Sequence, residues 1–393
     1  MTAPDASPST YPPEPEQAMA GPGYQPRTLV LLGAGHAHVQ VLATLAGHPL
    51  IGVNIVLVAP YPRQMYSGMV PGLVAGHYTL DDCVIPLEPL VRRAGVRWLQ
   101  RSVKGLDAQT QTVQLDDGST LQYDWLSVNT GPTQNRELLD RSMPGAREHG
   151  LFVRPIEAFG ALWPKVSALG DARPLRMAVI GGGAGGIELA FAVRHRLPSA
   201  AVTLVCGSTP PGANYPARVQ ERLLAALKQR RITVLQDTAI GIRAGEVRLA
   251  CGAGLACDVP LIATGAQPPL WLAASGLALD AQGFLAVDAC QRSTSHPQVF
   301  AAGDVCTRTD QPLARSGVYA VRAGPALAHN LAAATSGQPL QPHLPPKATL
   351  NLLSCGDRYA IATWGSFSAQ GRWVWWLKNW IDRRFLARYK RGM

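Results

Sequence analysis

A repeated local pattern constrains this chain more than any other feature. An apolar run enters a glycine-rich turn, continues as a helix, and is followed by a second apolar run. The first copy is RTLVLLGAGHAHVQVLATL from Arg27, followed by VNIVLVA at 53–59. The second is LRMAVIGGGAGGIELAFAVRHRL from Leu175, followed by AVTLVC at 201–206. Each reads strand, turn, helix, strand, a unit whose two strands lie parallel with the helix crossing over one face. Strands that are apolar throughout belong in sheets covered on both faces. The chain is therefore expected to be α/β, with two Rossmann-like units.

Such a turn has a specific chemistry. Its first glycine makes the bend, its second lets backbone approach a pyrophosphate, and the helix N-terminus offers free N–H groups to the anion. This makes Gly33 and Gly35, with His36 and His38, one set of candidate dinucleotide-binding residues, and Gly181, Gly183 and Gly186 the other. The first set breaks the pattern, because His38 occupies the place of the third glycine, a position kept small for helix–strand packing. As a metal pair, His36 and His38 lack a nearby acid or cysteine in sequence. As an adapted turn, His36 opens the helix beside phosphate and a local shift accommodates His38.

A second departure is shared by both copies. The strand after such a turn normally ends in an acid that holds ribose hydroxyls; here the corresponding residues are about Ala59 and Cys206. For the second site this leaves preference between NADH and NADPH without its usual determinant, since Ser208 or Thr209 suits a 2′-phosphate but no arginine follows Cys206 immediately. Three further strand-like runs end in turns: LSVNTGPTQ with Thr130 and Gly131, LIATGAQP with Thr264 and Gly265, and VFAAGDVC with Gly303 and Asp304. The first two suit crossings between domains. The third places an acid after a glycine, within reach of a ribityl hydroxyl.

Composition narrows the class. The chain has 393 residues, 47% of them apolar, enough for two or three domains with real cores. Residues 1–26 hold seven prolines, three acids and no basic residue, which reads as a disordered tail on a cytoplasmic protein without a signal peptide. No window approaches the roughly 18 to 20 apolar residues of a membrane span, so membrane contact would be peripheral, on the inner face. Seven scattered cysteines lack C-x-x-C or C-x-x-x-x-C spacing, against a disulfide framework, a zinc site or a redox dithiol. The net charge of +10 is concentrated after residue 370, where seven Lys or Arg accompany one Asp. No nucleic-acid-binding signature accompanies it, so a membrane surface or an acidic partner suits it better than nucleic acid.

Taken together, these motifs resemble the FAD-dependent pyridine nucleotide-disulfide oxidoreductase superfamily over nearly the whole chain after residue 27. GAGHAHVQVL, MYSGMVPGLVAGHY, SGVYAVRAGPALAHNL and GRWVWWLKNWIDRRFLARY carry a closer likeness to the oxidoreductase domain fused ahead of selenophosphate synthase. The likeness to type II NADH dehydrogenases and sulfide:quinone oxidoreductases is more distant. The resemblance implies nested domains: an FAD-binding domain from 27–146 and 270–344, an NAD(P)-binding domain at 147–269 inserted within it, and a C-terminal segment at 345–393. It also implies FAD as cofactor and NAD(P)H as electron donor. Where many members carry C-x-x-x-x-C, this chain has RQMYSGMVPG, which argues against electron passage through a dithiol.

By the same resemblance, the helix starting within RSGVYAVRAGPALAHNL points at the flavin, with backbone at Val318 and side chains of Tyr319 and Arg322 as pocket candidates. Tyr66 is a candidate wall of the flavin site, with plain turn formation as the alternative. Glu188 is a candidate at the nicotinamide, or a simple complement to its helix dipole. Cys306 and Cys355 are the two thiols to weigh for sulfur chemistry, against inert burial. In the C-terminal stretch, Trp373, Trp376, Leu377, Trp380, Ile381, Phe385 and Tyr389 form a stripe at helical spacing with cations largely off it. Lipid contact, docking on the flavin domain and a homodimer seam all suit that stripe.

The expected activity is electron transfer from NAD(P)H through FAD to a quinone or other small acceptor. Two alternatives stand beside it. One is a role in selenium or sulfur metabolism beside a selenophosphate synthase. The other is a peripheral flavin-binding protein of low turnover that recruits a partner.

Overall fold

The structure is a computed structural model and describes residues 26–390. The tail expected at 1–26 lies, apart from Pro26, outside the described residues. The first unit is built from β1 (Arg27–Leu32), α1 (His36–Leu45), β2 (Val53–Val58), β3 (Arg97–Leu99) and β4 (Trp125–Val128). The second unit contains β5 (Leu151–Phe152), α2 (Ile156–Ala172), β6 (Arg176–Ile180), α3 (Ala184–Arg196), β7 (Ala201–Val205), β8 (Thr233–Leu235) and β9 (Val259–Ile262). The chain then returns to the first unit with β10 (Val299–Ala301) and α4 (Gly317–Thr335). It ends in a hairpin sheet, β11 (Asn351–Ser354), β12 (Ala360–Trp364) and β13 (Phe367–Gly371), followed by α5 (Arg372–Lys390).

Both large sheets are parallel and share one plan. Their orders are β10-β4-β1-β2-β3 and β5-β9-β6-β7-β8, so each has its leading glycine-turn strand in the centre. The strand from 299–301 completes the first sheet only after the second is finished, which makes the second unit an insertion. Alternate residues of β1 feed different cores. Leu29 and Leu31 enter the cluster beneath α1, whereas Val30 and Leu32 face the cluster that includes Leu126, Val299 and Val305. This two-sided burial is why the strand reads as one apolar run.

The crossing points stand side by side. Thr133 pairs with Gln267 as an antiparallel bridge, and the Gln134 side chain donates to the Ile262 carbonyl at 3.0 Å. Leu139, Met143 and Ala146 lie in the same core as Ile180, Val205 and Ile262. The chain therefore joins the second core close to residue 134, ahead of the boundary at 146 expected from sequence.

The last segment is continuous with the body. Leu353, Cys355, Ile361, Val374, Trp375, Leu386 and Tyr389 share the main core with α1 and α3. Helix α5 thus docks through Val374, Trp375, Asp382, Leu386 and Tyr389, while Trp373, Trp376 and Trp380 remain 59%, 54% and 56% exposed. The single stripe expected from sequence is split, with Tyr389 facing in and the three tryptophans facing out. Lys378, one of the cations off that stripe, is largely buried and paired with Asp382 at 2.7 Å. No helix among the described residues is long and apolar enough to cross a membrane.

Candidate functional site

A cavity of about 620 Å³ opens at the C-terminal edge of the first sheet. Its walls include Gly33, Gly35 and His36 from the turn before α1, Ala59 after β2, Thr130 and Gly131 after β4, Asp304, and Gly317 and Ala320 at the start of α4. This edge is where open parallel sheets bind ligands. The turn is tight for physical reasons. Gly33 has φ +83°, and a Cβ there would sit 2.5 Å from the Thr130 Cα; a Cβ on Gly35 would strike the Asn129 side chain.

The two turns solve the same packing problem differently. In the second unit, Gly186 passes so close to the Gly181 carbonyl that no Cβ fits, and Gly181 itself packs on Ala263 and Thr264. In the first unit, His38 occupies the equivalent place and its Nδ1 hydrogen-bonds the Gly33 carbonyl, with Nε2 2.8 Å from Ser127 Oγ. Because a carbonyl only accepts, Nδ1 carries the proton and Ser127 donates to Nε2. Burial holds His38 neutral, its pKa down to about 4. His38 is therefore internal support and not a wall of the cavity. The adjustment expected around it is a hydrogen bond.

Asn129, which sequence reasoning passed over, completes this adaptation. Its Oδ1 accepts the N–H groups of Ala37 and His38 at 3.0 and 3.1 Å, its carbonyl accepts Gly35 N–H at 3.0 Å, and its amide donates to the Ala302 carbonyl. The signal was the contrast between VNTG and IATG after the two matching strands, since Asn129 faces the turn with the histidine and Ala263 the turn with three glycines.

Several polar groups on the cavity make no side-chain hydrogen bond among the described residues. Arg63, Arg136 and Arg154 line it without a side-chain hydrogen bond or ion pair among the described residues. Nε2 of His36 is buried with no hydrogen-bond partner. Burial, with the nearby Arg154 cation, lowers the His36 pKa to about 4, so the ring is neutral at pH 7. Asp304 and Glu157 are raised by burial and opposed by Arg154. Unpaired buried polar groups are rare in folded proteins and mark a place for a polar ligand. Four arginines, counting Arg101, against two carboxylates suit a dinucleotide pyrophosphate, and the glycine cradle suits its close approach. The residues present thus fit FAD.

Several candidates lie elsewhere. Tyr66 sits behind the cavity, stacked on Phe385 at 4.7 Å with its hydroxyl donating to Asp382 at 3.2 Å and its ring edge-on to His36 at 5.4 Å. At the start of α4, Gly317 and Ala320 face the cavity in place of Val318 and Tyr319, because the helical period turns those two aside. Tyr319 lines a small separate cavity behind Asp304 with Gly303 and Cys306, and Arg322 is exposed. Thr264 and Gly265 belong to the turn of the second unit, near Gly181.

Glu188 meets the C-terminal segment. Its carboxylate accepts the Ser354 backbone N–H at 2.8 Å, and Lys378 of α5 lies near. Burial raises its pKa to about 7, against the pull of the Lys378 ammonium. Lys378 in turn donates to the Gly68 carbonyl at 2.6 Å and to Asp382. These contacts join the two units and the C-terminal helix at one point. Burial also pushes the thiols of Cys306 and Cys355 up to about 12, so both are protonated at neutral pH.

The chain is 25% identical to the alternative NAD(P)H-ubiquinone oxidoreductase C1 of Arabidopsis thaliana over 73% of its own length, and spans 62% of that protein. It is 26% identical to the ferredoxin–NAD(+) reductase component of the anthranilate 1,2-dioxygenase system of Burkholderia cepacia, over 85% of this chain and 78% of that one. In fold it resembles the sulfide:quinone oxidoreductase of Aquifex aeolicus, with TM-score 0.76 and 17% identity over 93% of this chain and 92% of the other. It likewise resembles NDH2 of Plasmodium falciparum, with TM-score 0.76 and 13% identity over 93% and 98%. The pyridine nucleotide-disulphide oxidoreductase family pattern matches residues 27–334. With that match covering most of its length, the chain belongs to this family, whose members use FAD and NAD(P)H.

Proposed function

We propose that this protein is an NAD(P)H-dependent flavoprotein that delivers electrons to a quinone without a redox dithiol. The observation that carries the reading is the pairing of a cavity lined by four arginines at the first turn with a loop at 63–72 that contains no cysteine. Bound flavin would supply the hydride acceptance and electron release that side chains cannot. Arg154, His36 and Asp304 would orient it: a half-buried cation, a neutral ring nitrogen and a carboxylate facing one cavity. The turn Gly181–Gly186 would take the nicotinamide nucleotide. Glu188, with a pKa near neutrality and Lys378 beside it, would hold or release a proton at its carboxylate where the two units meet. The plant relative named for ubiquinone supports a quinone as acceptor.

The exposed face of α5 supports a peripheral membrane setting for that acceptor. Trp373, Trp376 and Trp380 lie on one side of the helix, and Arg384 and Arg388 continue the same side toward its end. Tryptophan with flanking cations suits the headgroup region of an anionic bilayer. A thiol route for selenium or sulfur chemistry has less support, because both candidate thiols are protonated.

The test is an anaerobic visible spectrum of the purified protein during addition of NADH and then NADPH. Bleaching of oxidised flavin by either supports both sites and assigns the donor. A flavin spectrum that neither nucleotide changes overturns the donor assignment, and folded protein that cannot take up FAD overturns the whole reading.

A further inference from the structure

We propose that the adenosine-diphosphate half of the flavin cofactor is held in this chain by arginine side chains, Arg101 and Arg136 with Arg63, in place of free turn N–H groups and a ribose carboxylate. The inference rests on the flavin reading above and concerns how this chain's own residues meet that group.

The donors expected of a nucleotide-binding turn are largely spent in the first unit. Asn129 takes the N–H groups of Gly35, Ala37 and His38. A helix N-terminus whose first-turn donors are already bonded has less to offer an anion. In the second unit the N–H groups of Gly183, Ala184, Gly185 and Gly186 take no partner among the described residues, so the contrast lies within one molecule. The ribose acid is missing as well. Ala59 follows β2 and lines the cavity where that carboxylate would stand.

Arginines surround the same place. Val58 pairs with Leu99 across β2 and β3, so Arg101, two residues past Leu99, emerges beside Ala59. Asp117 accepts its Nε at 2.7 Å and the Gln100 carbonyl accepts Nη1 at 3.2 Å, which fixes the guanidinium while Nη2 takes no partner among the described residues. Arg136 lies over the Phe152 ring at 5.0 Å and close enough to Tyr61 to influence its hydroxyl. Arg63 lies four residues past Ala59 and near Glu157. Arg101 and Arg136 are exposed, so their hold on phosphate is screened by salt, unlike hydrogen bonds from buried backbone.

The experiment titrates the full-length apoprotein with FAD, and separately with riboflavin, which lacks both the diphosphate and the adenosine, at 50 and at 500 mM NaCl. Quenching of flavin fluorescence gives Kd. The expected result for FAD is a Kd at least tenfold higher at high salt. At low salt Arg101→Gln and Arg136→Gln should each raise it about tenfold and flatten the salt dependence, and Arg101→Lys should restore most of the affinity. Ala59→Glu should weaken FAD binding, because a carboxylate there neutralises the arginines. Riboflavin binding should change less than twofold in all of these, which also reports that each variant is folded. Equal Kd at both salts with Arg101→Gln unchanged, tighter binding by Ala59→Glu, or equal losses for riboflavin and FAD would each overturn the inference while leaving the flavin reading intact. Failure of folded wild-type protein to bind either flavin overturns both.

Discussion

Nε2 of His38 lies 2.8 Å from Ser127 Oγ across the first sheet, while its Nδ1 is tied to the Gly33 carbonyl. One imidazole thereby links the glycine turn, the first helix and the neighbouring strand. His38→Ala would leave a buried hydroxyl and a buried carbonyl short of a partner, a loss of about 1–3 kcal/mol. His38→Gly, although it restores the common glycine pattern, should destabilise at least as much. Denaturant unfolding of the three proteins checks both, and equal midpoints would mean that the imidazole contributes nothing to stability.

The same burial gives a pH dependence. His36 and His38 have folded pKa values of about 4, below the unfolded value of 6.5. Between those values these two groups bind more protons in the unfolded chain than in the folded one, so their contribution to stability is full above pH 6.5 and falls as pH drops toward 4. A shift of this size is worth about 3 kcal/mol per group at most. The gap in unfolding midpoint between wild type and His38→Gln should be larger at pH 7.5 than at pH 5; the gap is the measure because the Glu188 carboxyl, raised by burial, acts with the opposite sign in both proteins.

Lys378 and Asp382 form an ion pair with 11% and 6% side-chain exposure, which makes single and double replacements unequal. Asp382→Ala leaves the ammonium without its partner and should cost about 3–5 kcal/mol. The double variant Lys378→Met, Asp382→Leu should lose clearly less, because no unpaired charge remains. Thermal unfolding of the two variants gives the comparison, and a double variant as unstable as the single one would contradict it.

Glu188 should govern the pH profile of turnover. With its carboxyl near pKa 7, wild-type activity should change across neutrality, and Glu188→Gln should remove that inflection while flavin content stays constant. Lys378→Met should move the inflection upward, since the ammonium lowers the Glu188 pKa. Steady-state rates from pH 5.5 to 8.5 measure both effects.

The outward face of α5 predicts lipid binding. Cosedimentation with vesicles containing anionic lipid should fall several-fold when Trp373, Trp376 and Trp380 are all replaced by Ser, with unchanged flavin content. Persistent cosedimentation would assign binding elsewhere.

Much of this architecture was legible in the linear chain because its signals are local. Apolar β1 and β6, the glycines that follow them and the returning strand at Val299 each announce themselves within a few residues, and local spacing is enough to call parallel sheets. The same locality let the sequence bring Gly33, Gly35, His36 and Asp304 into one expected site. Only the fold could decide what depends on distant partners. Asn129 is an ordinary polar residue until its side chain meets a turn 91 and 92 residues away. Lys378 looks like a surface cation until α5 docks and buries it against Gly68. Arg63, Arg101, Arg136 and Arg154 are scattered in sequence and converge because the edges of two strands and a domain crossing meet at one cavity. Periodicity fixes which residues of a helix share a face, but which face turns inward is set by the surface it packs against. That is why the tryptophans of α5 point outward.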